Sequence, residues 1–533
     1  MIDIESLNKA IMLTQKGVFK EAEELYLKLY DENPEEYLLL SSIGLFYVTL
    51  KDYEKASEFL EKACSIKETL GTVSALGFAE YERGNYRNSA GILIHSLTLG
   101  ENPEIYNKLI LSLFHIEDFV SAIKYSEEMY EKYPQEVNST SNMIKALIQQ
   151  GKMLEAEKMC VEYLRENPDI PSLWFDLGFL KELIYSDDNK ACECFKVALD
   201  LGAKEAYYNI ASSYNKLGKY EKAEEYYNKM LECFPEDNTT EIALGLCNLA
   251  QKKFREGYDL VFKRKVESKF LKFNNRWKFG DKFEKELVVY CDQGFGDHIQ
   301  FVRYLPFLRE KVEKLYVVAH RSLIELFQLN YANINFIEFN EANLNMQALR
   351  ITDLAYILDM DFDNIPFSKG YLSSDTADIK SDKLKVGLCW EAGAAGIRTM
   401  INRTININLL EPIMNLENIQ LYSFQVTDSL NGNERYADKM INLAKDFKSF
   451  KDTAEALKAM DVVITVDTSV AHLAGALGVK TFLMLPYATD WRWFEDTKTT
   501  PWYDSVELFK QKDSISWENV IEDIICRLKE YSL

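Results

Sequence analysis

Residues Ala206–Pro235, AYYNIASSYNKLGKYEKAEEYYNKMLECFP, decide the reading of the first half of the chain. Ala223 stands four positions before Tyr227, and a small residue ahead of an aromatic or a leucine returns along the chain. It falls at Ala22, Ala56, Ser89, Ala122, Ala156, Ala191, Ala223 and Gly257, at intervals of 34, 33, 33, 34, 35, 32 and 34. A period of this length marks an array of helical pairs. The small residue lets the second helix of each pair approach the first closely, and large aromatics fill the remaining gap. No pair buries its apolar face alone, so neighbours must stack. About eight repeats are expected over residues 1–265, as a curved α-solenoid with a concave face. The tyrosines read as core residues of the repeats.

The array resembles the tetratricopeptide repeat. In the copy quoted, Tyr207, Ile210, Ala211, Tyr214, Gly218, Tyr220, Ala223, Tyr227, Met230 and Pro235 fall on that family's pattern. The first copy supplies Gly17, Phe19, Ala22, Tyr26 and Pro34, and prolines close repeats at Pro34, Pro134, Pro168 and Pro235. The resemblance implies a concave face that holds an extended peptide or a partner protein. The alternative is a scaffold or dimerisation platform.

Composition narrows the rest. The chain has 533 residues, room for about three to four domains. Its net charge of −22 argues against sequence-independent nucleic-acid binding and against a polybasic membrane anchor. The start, MIDIESLNKA, carries acids and no apolar run, unlike a secretory signal. Val462–Val479 has the length of a membrane span but contains Asp467, His472, Gly475 and Gly478, so it reads as buried strand, turn and helix. Nine scattered cysteines, with Cys192 and Cys194 poorly spaced for a metal, fit reduced thiols in the cytoplasm.

Beyond a basic and aromatic connector at 266–284, strands and helices alternate. Leu287–Cys291, Leu315–Ala319 and Ile334–Phe339 form one set of strands. Val386–Trp390, Ile419–Gln425, a weak strand near Phe447, Val462–Val466 and a closing Thr481–Leu485 form another. Such alternation predicts α/β structure with parallel sheets covered on both faces. Two Rossmann-like lobes are expected, at 285–375 and 384–533, with a break at Ser373–Lys383. Ligands in such folds bind at the carboxyl ends of the strands. That points to the turns at 291–298, 390–403, 425–428 and 467–472.

Three turns have the chemistry for a site. Gln293-Gly294-Phe295-Gly296-Asp297-His298 opens a helix after the first strand. Its glycines allow close backbone approach, and Asp297 there is a candidate general base as well as a candidate N-cap. Asp467-Thr468-Ser469-Val470-Ala471-His472 puts hydroxyls and backbone N–H groups at a helix start, suited to a diphosphate. The loop from Glu391 to Arg403 supplies two guanidiniums, Arg398 and Arg403, and a fixed cation stabilises a departing diphosphate. Asp359, Asp361 and Asp363 alternate in DMDFDN like a metal-binding D-x-D, but follow an expected helix, Thr352–Leu358. They read as a solvated helix end rather than a metal site.

Together, CDQGFGDHIQFVRYLP, VGLCWEAG, DVVITVDTSVAHLAGALG, DWRW and TPWY resemble the bacterial TPR-fused glycosyltransferases, whose catalytic half is similar to the heptosyltransferases. The resemblance implies a two-lobed GT-B fold, no catalytic metal, no cofactor beyond a nucleotide-sugar donor, and inverting transfer. It casts Asp297 as catalytic base, with His298 beside it, and Arg403 as stabiliser of the leaving group. It assigns donor binding to Gly294, Gly296, Trp390, Arg398, Gln425, Asp467, Thr468, Ser469 and His472. Departures from the family pattern, Glu391-Ala392-Gly393 after Trp390 and Asp292 where Glu is common, bear on donor choice. Some such fusions resemble flagellin O-glycosyltransferases that use UDP-GlcNAc. The resulting expectation is a cytoplasmic enzyme with UDP-GlcNAc as donor and an acceptor protein such as flagellin on the concave face. Two other readings stand beside it: a surface-glycan transferase, and a TPR adaptor with a degenerate transferase half.

Overall fold

The computed structural model describes residues 2–262, 273–278, 280–393, 403–426, 434–494, 497–513 and 516–531. Sixteen helices fill the repeat half among these residues, from α1 (Ile4–Gln15) to α16 (Phe254–Phe262). Each small residue of the repeat row lies in the second helix of its pair, and Ala22, Ala56, Ser89, Ala122, Ala156, Ala191 and Ala223 are fully buried. The last position, Gly257, accepts no larger residue: a Cβ would lie 2.7 Å from Leu249 and 2.8 Å from the Gly245 carbonyl.

The turn inside each pair obeys the same period. Gly17, Lys51, Gly84, Glu117, Gly151, Ser186, Gly218 and Lys252 all have positive φ, between 49° and 80°. Their spacing repeats that of the small residues. The left-handed turn is therefore fixed by the repeat, and half of the copies hold it without the glycine that would relieve it.

By compactness the chain divides into Met1–Tyr185 with Asp200–Ala203, and Ser186–Leu199 with Lys204–Leu533. The second unit holds the last repeat helices and two sheets. The first sheet has order β1-β5-β2-β3-β4 and is parallel throughout: β1 (Asn275–Arg276), β2 (Glu286–Tyr290), β3 (Lys314–Val318), β4 (Asn335–Ile337) and β5 (Gln347–Arg350). Both faces are buried. Leu287 and Val289 point to one core, Val288 and Tyr290 to another, as a strand's twofold alternation requires. Helices α17 (Phe295–Phe301), α18 (Leu305–Arg309), α19 (Arg321–Asn330) and α20 (Leu354–Ile357) connect the strands.

The second sheet has order β11-β12-β10-β9-β6-β7-β8: β6 (Leu384–Cys389), β7 (Ile419–Ser423), β8 (Met440–Asn442), β9 (Val462–Val466), β10 (Thr481–Leu485), β11 (Thr499–Thr500) and β12 (Tyr503–Lys510). Only β11 runs antiparallel to its neighbour. The helices are α21 (Glu411–Met414), α22 (Phe450–Lys458), α23 (Ser469–Ala476) and α24 (Glu518–Tyr531).

Several strand expectations change. Thr481–Leu485 does not close the sheet, because β12 pairs along its outer edge. The strand expected near Phe447 lies at Met440–Asn442. The helix expected over Ile299–Leu308 is interrupted by a 3-10 turn at Val302–Tyr304, just before Pro306. β1 arises within the connector, and β5 was not anticipated. Val462–Val479 is strand, turn and helix as expected, and Ser373–Lys383 carries neither helix nor strand.

Candidate functional site

Strand order places the site. In the first sheet the order reverses at β2, with β3 on one side and β5 on the other. In the second it reverses between β6 and β9. Crevices at the carboxyl ends of such strands are the usual binding places of parallel α/β sheets. The turns after β2, β6 and β9 hold Gly294–Asp297, Trp390–Gly393 and Asp467–Ser469.

The turns after β2 and β9 meet. Helix α17 packs on α23, and Gly296 abuts the His472 ring so closely that a Cβ would lie 2.8 Å from its Cδ2. Across this junction runs a chain of alternating charges. Arg492 donates from Nη2 to Asp297 Oδ1 at 2.5 Å, from Nε to Gln300 Oε1 at 2.7 Å and from Nη1 to Asp490 Oδ1 at 2.7 Å. Arg403 reaches Asp490 Oδ2 at 3.5 Å and Asp467 Oδ2 at 3.2 Å. His472 Nε2 lies 3.9 Å from Asp467 Oδ1, and its Nδ1 is 3.0 Å from the Tyr503 hydroxyl.

Burial sets the protonation of this chain. It drives the His472 imidazole down to about 3, with nearby Arg492 adding to the effect, so the ring is neutral at neutral pH. It also pushes the Asp467 carboxyl up, against the pull of Arg403. Burial acts the same way on Asp490, but there Arg492 and Arg403 outweigh it and hold the carboxyl low. Arg492 stays charged, since Asp490 and Asp297 outweigh its burial.

The other expected site residues have distinct places. Asp297 leaves Oδ2 without a hydrogen bond among the described residues. His298 is turned into the fold, 4% exposed, with Nδ1 3.3 Å from the Gly294 carbonyl, and burial lowers its imidazole. Thr468 caps α23 by backbone alone, its hydroxyl 3.3 Å from that of Thr465, and Ser469 begins the helix. Trp390 lies in the core beneath the second sheet. Gln425 accepts from the backbone N–H of Trp390 and Glu391 and donates to the Glu391 carbonyl. These two side chains shape the loop after β6 from within. Arg398 and residues 427–428 lie outside the described residues. Two of the DMDFDN aspartates are engaged within the fold: Asp359 pairs with Arg255 of α16 at 2.9 Å, and Asp361 caps its own 3-10 turn.

Asp490, Arg492 and Gln300 carry the centre of the cluster and were not singled out from the sequence. The signal was present in DWRWF, where an arginine between two tryptophans can be buried only with partners. Arg303 is fully buried and donates to the carbonyls of Gln300, Pro366 and Trp502 and to the Tyr371 hydroxyl. Tyr371, Tyr503 and Trp502 surround its guanidinium, at 4.4, 4.8 and 5.5 Å.

Among known proteins, residues 39–70 and 205–237 match the tetratricopeptide repeat family. The chain is 23% identical to Protein FlbA of Caulobacter vibrioides over 91% of its own length and 88% of that protein. A tetratricopeptide repeat protein from Parabacteroides merdae aligns with 46% of the chain at 15% identity and a TM-score of 0.42, over 97% of its own length. YrrB, a TPR protein with an unusual peptide-binding site, aligns with 33% at 18% identity and a TM-score of 0.29, over 92% of its length. The chain carries TPR repeats and has a distant homologue in FlbA. No helix among the described residues is long and apolar enough to cross a membrane.

Proposed function

We propose that the two-sheet half is a GT-B-type glycosyltransferase that moves a sugar from a nucleotide donor to a hydroxyl of a polypeptide presented by the repeats. The observation that carries this reading is the meeting of Asp297 with the Arg492–Asp490–Arg403–Asp467 chain at the strand ends of both sheets. A glycosyl transfer needs a base beside fixed cations, and these groups supply both. Asp297 takes the acceptor hydroxyl's proton on Oδ2 as the oxygen attacks the anomeric carbon. The bond from that carbon to the diphosphate oxygen breaks, and its electron pair leaves with the diphosphate. Arg403 and the N-terminus of α23 stabilise that charge. The preferred donor is UDP-GlcNAc and the preferred acceptor a Ser or Thr of a protein such as flagellin. Both choices rest on the sequence resemblance.

Intact-mass analysis of flagellin incubated with the full chain and UDP-GlcNAc in EDTA tests this. Added N-acetylhexosamine mass, lost in Asp297→Asn while UDP binding persists, is the expected result. Donor binding without transfer to any protein or glycan acceptor would leave an adaptor instead.

A further inference from the structure

Arg492 is engaged by the residue proposed as base. Its Nη2 holds Asp297 Oδ1 at 2.5 Å while Nε and Nη1 hold Gln300 and Asp490. Arg403 is likewise spread between Asp490 and Asp467. The chain therefore sets three carboxylates against two guanidiniums. A diphosphate arriving here finds both cations already neutralised, and binds well only by taking a guanidinium from a carboxylate. The side chain of Arg403 is 31% exposed and those of Arg492 and Asp297 are 16% and 19% exposed, so solvent reaches an otherwise buried cluster chiefly at its Arg403 end. Gln300, fully buried, keeps an Nε2 donor with no partner among the described residues.

Resting on the glycosyltransferase reading, we propose that Arg492 is a further catalytic residue, one that passes from Asp297 to the donor's diphosphate. Arg492 holds only Oδ1 of Asp297, so its transfer releases that oxygen and leaves the whole carboxylate, Oδ1 with Oδ2, facing the acceptor once a donor is seated. Of the three carboxylates on the two arginines, Asp297 alone comes from the first sheet's side, so the exchange ties chemistry to the junction between the sheets.

Calorimetry of the full chain in EDTA, titrated with UDP, GDP, ADP and dTDP, tests the exchange. Whichever diphosphate binds the wild type is expected to bind Asp297→Asn and Asp297→Ala about five- to tenfold tighter, since it no longer displaces a carboxylate. The matching nucleoside is expected to change less than about twofold. Equal diphosphate affinity in wild type and variants overturns the exchange while leaving the transferase reading intact. Absence of binding by all four diphosphates to the wild type overturns both. Should the variants not fold, Trp491 reports in the wild type, since Arg492 lies 4.7 Å over its ring. A diphosphate-induced emission change that Trp491→Phe removes supports the exchange, and its absence on a binding-competent chain overturns it.

Discussion

The repeats of residues 2–185 and the strand ends of the two sheets treat charge in opposite ways. In the repeats, ion pairs are mostly at the surface, such as Lys132 with Glu101 and Glu128 and Lys108 with Glu82. Exposed pairs of this kind each contribute about 0–1 kcal/mol. Two of the paired acids among the described residues are more covered: Glu157, paired with Lys181, and Glu80, which is fully served by Ser57, Arg83, Asn85 and Asn88. Around the sheet ends, by contrast, Arg303, Arg350, Asp353 and Asp467 are all less than 10% exposed. Burying ions costs several kcal/mol each before pairing offsets it. A fold that needs only stacking largely avoids that cost, as the repeats do with Glu80 their most deeply buried charge among the described residues. Where the cost is met several times over at the facing strand ends, stability is not a sufficient reason for it.

The contrast can be broken most forcefully at Arg303. Replacing it by Leu removes its bonds to three carbonyls in a fully buried site, while the Tyr371 hydroxyl keeps its bond to the Ile299 carbonyl; the expected loss is about 3 kcal/mol or more in the second unit's unfolding transition. A loss below about 1 kcal/mol in urea unfolding would show that the cage around Arg303 is not structural. Gly296→Ala comes next, since its methyl collides with His472 and overpacking of this kind costs about 1–3 kcal/mol. Thermal unfolding measures it, and His472→Ala is expected to rescue part of the loss.

His472 sharpens the same point through pH. Its folded value of about 3 lies far below the unfolded value of roughly 6.5. The unfolded chain therefore binds the extra proton, and stability present above about pH 6.5 falls as pH drops toward 3. His472→Gln is expected to remove on the order of 1–2 kcal/mol of the change between pH 6.5 and 5, measured by urea unfolding at each pH. An unchanged slope would contradict the buried neutral ring. The smallest effect belongs to the repeats. Glu117→Gly relieves a left-handed turn, φ 60°, and is expected to add about 0.5–1 kcal/mol to the first unit. Destabilisation there would mean that the Glu117 side chain has a role of its own.

How far the sequence could be read follows from the same contrast. The small-residue row repeats eight times, so each copy supports the others, and every member lies at a helix–helix contact. Strands β2, β6, β9 and β10 are dense apolar runs and were legible within a few residues. β12 was not, because Tyr503–Lys510 mixes Asp504, Ser505, Glu507 and Lys510 with apolar residues in a broken alternation, neither a dense apolar run nor a clean twofold pattern. β5 ends in Arg350, which is buried through its bond to Asp353 at 2.5 Å, a pairing that no local pattern signals. At the site, Asp297, Arg403, Asp467 and His472 were legible because each stands in or near a glycine- or hydroxyl-rich turn. Arg492 was not, since its partners Gln300 and Asp297 lie close to 200 residues away, and Asp490 pairs with Arg492 itself and with Arg403 of another loop.

The central claim is that the charged junction between the sheets holds the diphosphate of a nucleotide sugar. Titrating the wild-type chain with UDP-GlcNAc and UDP in EDTA, and following protection of the Asp467–His472 backbone by hydrogen exchange, tests it most directly. The account predicts saturable metal-free binding together with slowed exchange at the start of α23. Binding with no protection there, or no binding at all, would contradict it.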